Sequence, residues 1–163
     1  MSESEWKGRP RDYRLIREYE HDGDRSKRKL AEPTICPECG AVFQKGRWTW
    51  AQKPAGAHES VCPACQRIRD RYPAGYLILR GEFVRGHRAE ALQLAHNVEA
   101  REKAEHPLKR IMDTQEQNGD VLLTTTDIHL VRTIGEALRH AYHGTLSYRY
   151  AEEANVLHVT WER

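Results

Sequence analysis

The chain has 163 residues, 31% charged against 39% hydrophobic, with a formal net charge of +2. No stretch approaches the roughly 20 consecutive apolar residues of a membrane span, and the opening MSESEWKGRPRDYR is too charged for a secretory signal. These features exclude a membrane partner and predict a cytoplasmic protein whose thiols stay reduced.

From Met1 to about Glu32, charges of both signs alternate with few apolar residues, so this segment cannot bury enough surface to fold by itself. It reads as a charged flexible arm over 1–32. Leu15, Ile16 and Tyr19 would form one face of a short helix in RDYRLIREYE, and Lys27, Arg28 and Lys29 make a compact basic cluster. The arm is either simply solvated or orders on a negatively charged partner.

Next come the only four cysteines, in Cys36-Pro-Glu-Cys39-Gly and Cys62-Pro-Ala-Cys65, a C-x2-C-x22-C-x2-C spacing. Each Cys-x-x-Cys turn aims two sulfurs at one cation, and the Pro inside it fixes a backbone dihedral beforehand. Two disulfides or a redox dithiol are the competing readings. A redox pair needs one Cys-x-x-Cys on a βαβ unit, however, and none surrounds either pair. One structural Zn2+ is expected, with its four positions filled by Cys36, Cys39, Cys62 and Cys65 and none open for catalysis.

Between the pairs, Gly40 to Trp50 reads as a β-hairpin with Lys45-Gly46 near its turn and Trp48 and Trp50 on one strand face. One Trp, with Val42 and Phe43, would cover the zinc site. Lys45 and Arg47 beside the indoles also make a platform on which unpaired bases stack. Behind the second pair, Arg67, Arg69 and Arg71 alternate. A strand would place all three on one face and a helix would place Arg67 and Arg71 together, and either gives guanidiniums suited to phosphates. The zinc ribbon is assigned to 33–72.

Tyr72-Pro-Ala-Gly75 is a turn that opens an α+β domain over 73–163. A strand over Tyr76–Phe83 is followed by a helix over 87–105 with Ala91, Leu92, Ala95 and Val98 inward, stopped by His106-Pro107. Asn118-Gly119 joins two strands, 110–117 and 120–126, in a type I′ hairpin. A second helix runs to His143, with Asp127 as N-cap, Val131, Ile134, Leu138 and Ala141 inward, and Gly144 closing it. Strands at 146–150 and 156–161 complete a ferredoxin-like β-α-β-β-α-β(β) two-layer sandwich whose second sheet face is open. The fold class is therefore α+β, a cysteine-pair zinc ribbon followed by this sandwich.

Catalytic motifs are missing from the sequence. No G-x-x-x-x-G-K-[ST] or nucleophile elbow occurs, and the helix dipole accounts for His140 and His143 in the last helical turn. Charge is uneven. Residues 1–113 hold 22 Lys and Arg against 17 Asp and Glu, net +5, and residues 114–163 hold 4 against 7, net −3.

The CPECG and CPAC pairs, followed by TTTDIHLVRTIGEALRHAYHG with Asp127-Ile128-His129 leading to Ile134 and Leu138, resemble a shortened form of the nonsense-mediated-decay protein three family, the nuclear export adaptors of the large ribosomal subunit. The resemblance covers about residues 36–143 and extends to small bacterial zinc-ribbon proteins. It implies binding to the ribosome's RNA-rich surface. The sequence thus predicts a non-enzymatic protein that docks on the ribosome or another structured RNA as a biogenesis, stress or hibernation factor, with no small-molecule substrate. Its RNA-contacting residues would be Lys27, Arg28, Lys29, Lys45, Arg47, Trp48, Trp50, Arg67, Arg69 and Arg71, and the α+β domain would meet a ribosomal protein. The alternative is a protein-protein adaptor in transcription or stress signalling, and a third class is an enzyme with its site on the α+β domain.

Overall fold

A computed structural model of the chain describes residues 30–163, so the arm, its short helix and the Lys27–Lys29 cluster lie outside the described residues. The cysteine-bearing part is a four-stranded sheet, order β3-β2-β1-β4, followed by a helix. Its strands are β1 (Thr34–Ile35), β2 (Val42–Gln44), β3 (Arg47–Thr49) and β4 (His58–Glu59), and the helix is α1 (Pro63–Asp70). Lys45 and Gly46, at φ 54° and 77°, form the two-residue loop between β2 and β3. Positive φ at both positions is what a type I′ turn requires.

The second part is a five-stranded sheet in the order β6-β7-β5-β9-β8. It is built from β5 (Gly75–Arg80), β6 (Ile111–Gln117), β7 (Asp120–Thr125), β8 (Thr145–Ala151) and β9 (Val156–Glu162). One face is covered by α2 (Glu82–Gly86), α3 (Arg88–Glu105) and α4 (Ile128–Tyr142). Alternation along each strand sends Leu77, Leu79, Val121, Leu123, Leu157, Val159 and Trp161 into one core with Ala91, Ala95, Val98, Leu130, Ile134 and Leu138 of the helices. This is the ferredoxin-like sandwich. The added strand β9 lies between β5 and β8 and runs parallel to β5. Its apolar alternation fits a central position, whereas β8 is mostly exposed and takes the edge.

Local signals hold. Asn118 and Gly119 both have positive φ in the β6–β7 turn, and the Asp127 carboxylate accepts hydrogen bonds from the amides of His129 (2.7 Å) and Leu130 (2.9 Å) at the start of α4. Two expectations need correction. The short helix α2 separates β5 from α3, where a strand through Phe83 was expected. Ala141 is exposed, because the helix ends a residue later and the Tyr142 ring takes the inward place against Phe83 and Trp161.

Gly81 joins β5 to α2 at φ 108°, and a Cβ there would collide with the backbone of Arg163, whose carbonyl accepts from the Phe83 amide (2.9 Å). Gly81→Ala is expected to cost about 2 kcal/mol or more through backbone strain and the clash together. A thermal melt at unchanged zinc content checks it.

No helix among the described residues is long and apolar enough to cross a membrane.

Candidate metal centre

The first pair sits in a tight knuckle. The Gly40 amide donates to the Cys36 carbonyl (2.9 Å) and the Cys36 amide to Ala41 (2.8 Å), which folds the loop so that Cys36 and Cys39 face the same side. The second pair opens α1. Cys62 is its N-cap, Pro63 is its first helical residue, and the Cys62 sulfur accepts from the Cys65 amide (3.4 Å). A proline loses no helical hydrogen bond at that position, so the Cys-Pro-x-Cys sequence starts a helix and aims both sulfurs forward. Residues 66–70 are therefore helical.

All four sulfurs lie within 4.8 Å of one another, and Cys36, Cys62 and Cys65 are buried. The Cys39 and Cys62 sulfurs are 3.7 Å apart, far beyond a disulfide's ~2.05 Å. That separation agrees with the ~3.8 Å edge of a sulfur tetrahedron around an ion with metal–sulfur bonds of about 2.3 Å. The four cysteines fit one structural zinc. Ala41, Ala64, Trp48, Val61 and Leu108 close around them.

Arg110 carries no signal in the sequence that links it to the cysteines. Its guanidinium, buried and contributed by the α+β domain, donates to the Cys65 sulfur through Nη1 (3.1 Å), to Cys62 through Nη2 (3.6 Å) and to the Pro107 carbonyl through Nε (2.8 Å). Burial disfavours its charge, but the hydrogen bonds and the negative sulfurs outweigh that and hold its pKa above the ordinary arginine value. A zinc bound by four thiolates carries two negative charges, and Arg110 offsets one of them. Its backbone is fixed by Thr126, whose hydroxyl accepts from the Arg110 amide (2.9 Å) and donates to the Leu108 carbonyl (2.6 Å). A second link joins the two parts, as the Trp50 indole donates to the Lys103 carbonyl at 2.6 Å.

The arginine row does not form as expected. Arg67 is buried, donates to the Tyr72 carbonyl (3.1 Å) and lies over the Tyr72 ring. Arg69 pairs with Glu38. Arg71 is the left-handed C-cap of α1 at φ 52°, ψ 48°, off the helical face it was expected to share with Arg67. Arg71 has no ion-pair partner among the described residues. The indoles also separate: Trp48 is half-buried against Phe43 and the cysteine cluster, and Trp50 is exposed. Lys45 and Arg47 are exposed at the hairpin tip, near the Glu32 carboxylate that accepts from the Gly46 amide (2.8 Å).

On the open sheet face the His158 and Tyr76 rings stack at 4.9 Å. Burial, reinforced by the Arg149 charge, pushes the His158 pKa down to about 4. With a folded pKa below the unfolded ~6.5, the unfolded chain binds the extra proton in the window between them. The stability is therefore present above about pH 6.5 and is lost as pH falls toward 4. Partial exposure limits the effect to about 2 kcal/mol. His158→Gln should flatten this part of the stability profile between pH 7 and 4.5, measured as the difference between wild type and variant in urea melts.

No protein-family model matches this chain, nor does any curated protein or solved structure.

Proposed function

We propose that this is a non-enzymatic, cytoplasmic RNA-binding protein in which a zinc-clamped module presents a cationic hairpin to structured RNA, with the ribosome as its partner. The observation that carries this reading is the composition of the segment between the cysteine pairs, whose Lys45, Arg47 and Trp50 are exposed. From Gly40 to Ala57 the chain has Lys45, Arg47, Lys53 and two tryptophans, and no carboxylate. Cations beside a flat exposed ring bind phosphates and stack unpaired bases. A metal with four thiolates has no open position for water or substrate, so it supplies rigidity in place of chemistry. The resemblance to the ribosomal export adaptors supports the same partner. With the arginine row dispersed, the hairpin becomes the main contact, and Arg71 is the helix residue that joins it.

Binding of the zinc-loaded chain to ribosomal particles should weaken steeply with salt. Lys45→Ala with Arg47→Ala should make the log-log salt slope shallower by about 1.4 to 1.8, from ~0.7 to 0.9 per phosphate. Trp50→Ala should cost about 1 to 3 kcal/mol of binding at nearly unchanged slope. A salt-independent interaction would instead favour the protein adaptor. The feature that favours that second reading is the edge strand β8, where Tyr148 and Tyr150 are exposed and a partner strand could pair.

A further inference from the structure

A cavity of about 550 Å3 lies where α1 meets the open sheet face, within the range of small-ligand and nucleotide pockets. It is lined by Ile68 of α1 and its cap Arg71, by Tyr76 of β5, by Leu122 and Thr124 of β7 and by Asp113 of β6. Its chemistry is divided by position. The Arg71 guanidinium offers a planar fork of donors and has no ion-pair partner among the described residues. Ile68 is 40% exposed, unusual for an isoleucine beside a hollow. Tyr76 supplies a flat ring braced by the His158 stack. The Asp113 carboxylate accepts from the Thr114 amide (2.9 Å) and from Gln115 Nε2 (3.0 Å), two of the roughly four bonds a carboxylate can accept.

The backbone at Arg71 adds an independent observation. At φ 52° it occupies the left-handed region, where helix ends favour glycine or asparagine. An arginine there is strained, and its side chain is what a glycine would lack.

The geometry points to a pocket for one unpaired nucleotide of an RNA. Arg71 takes the phosphate, Tyr76 and Ile68 take the faces of the base, and Asp113 takes an exocyclic amino group, which selects adenine or cytosine over uracil. This inference rests on the RNA reading above and deepens it with a second, base-selective contact.

The test uses full-length zinc-loaded protein and labelled oligoribonucleotides C12, A12 and U12, with free CMP as a separate arm. C12 and A12 should bind about 10-fold tighter than U12, and Asp113→Ala should remove that preference. Arg71→Gly relieves the backbone, so its melting temperature should hold or rise. Its RNA affinity should still fall about 5-fold or more, with a salt slope shallower by about 0.7. Ile68→Glu, at an exposed position, should weaken binding by a similar factor. If wild type binds these RNAs and responds to the Lys45 and Arg47 changes but not to Arg71→Gly, Ile68→Glu or Asp113→Ala, the pocket assignment is overturned and the hairpin reading stands. If wild type binds neither these RNAs nor ribosomal particles, both fall; binding to ribosomal particles but to none of the three oligonucleotides overturns the pocket assignment alone. Free CMP binding as tightly as C12 would overturn the assignment to an RNA-borne nucleotide.

Discussion

Cys62→Ser should abolish stoichiometric zinc binding and unfold the segment from about residue 33 to 72. Cys62 is at once a candidate metal ligand, the N-cap of α1 and a sulfur partner of Arg110; serine can keep the cap, so the loss comes from the missing thiolate and its contact with Arg110. Structural zinc in modules of this size contributes roughly 10 to 16 kcal/mol of apparent binding free energy, more than the small cluster around the cysteines can replace. The α+β sheet keeps its own core and should survive at reduced stability, because Arg110 is left buried beside an incomplete partner set. Elemental analysis and timed trypsin digestion give the readout. Wild type should hold one zinc and resist cleavage at Arg47 and Arg67, and the variant should lose both properties. Wild-type protein purified without chelator that contains no zinc would sink the metal assignment.

The second large effect is expected at Arg110. Arg110→Ala leaves the thiolate cluster with its full negative charge, facing a cavity once filled by a guanidinium, and breaking such a buried charge contact costs about 3 to 5 kcal/mol. Zinc affinity should fall 10- to 100-fold, as when groups that orient metal ligands are removed. Arg110→Lys restores the charge but cannot reach Cys65, Cys62 and the Pro107 carbonyl with one planar fork, so it should recover only part of the loss. A competition titration against a coloured zinc chelator separates the three proteins. Equal zinc affinity in all of them would show that Arg110 serves the docking of the two parts and not the metal.

What the sequence made legible was local chemistry. The two Cys-Pro-x-Cys turns, the Asn118-Gly119 turn, the Asp127 cap and the inward Val131, Ile134 and Leu138 of α4 each follow from residues within a few positions of one another, and all appear in the structure. Non-local placement was not legible. Arg110 meets Cys65 across 45 positions of chain, and nothing around Lys109-Arg110 distinguishes it from a solvated basic pair. The alternation of Arg67, Arg69 and Arg71 suggested a common face. Whether a row survives depends on where α1 stops and on Glu38 and Tyr72, which lie off the row itself. The strand at 156–162 was expected, but its central position was not, because period-two alternation gives a strand its faces without giving it neighbours.

That central position governs how the chain reaches its fold. β9 pairs with β5 at a separation of 82 positions, as in the contact of Arg80 with Glu162, so the middle of the sheet can close only after Val156–Glu162 has emerged. Pairings this distant slow folding, because a long loop must be ordered before any contact rewards it. The cysteine pairs meet within a much shorter loop, which metal can close early. During synthesis the zinc-bearing part should therefore be complete while the β5 edge still waits for its parallel neighbour, and in that interval the exposed edge would be the site most prone to pairing with another chain.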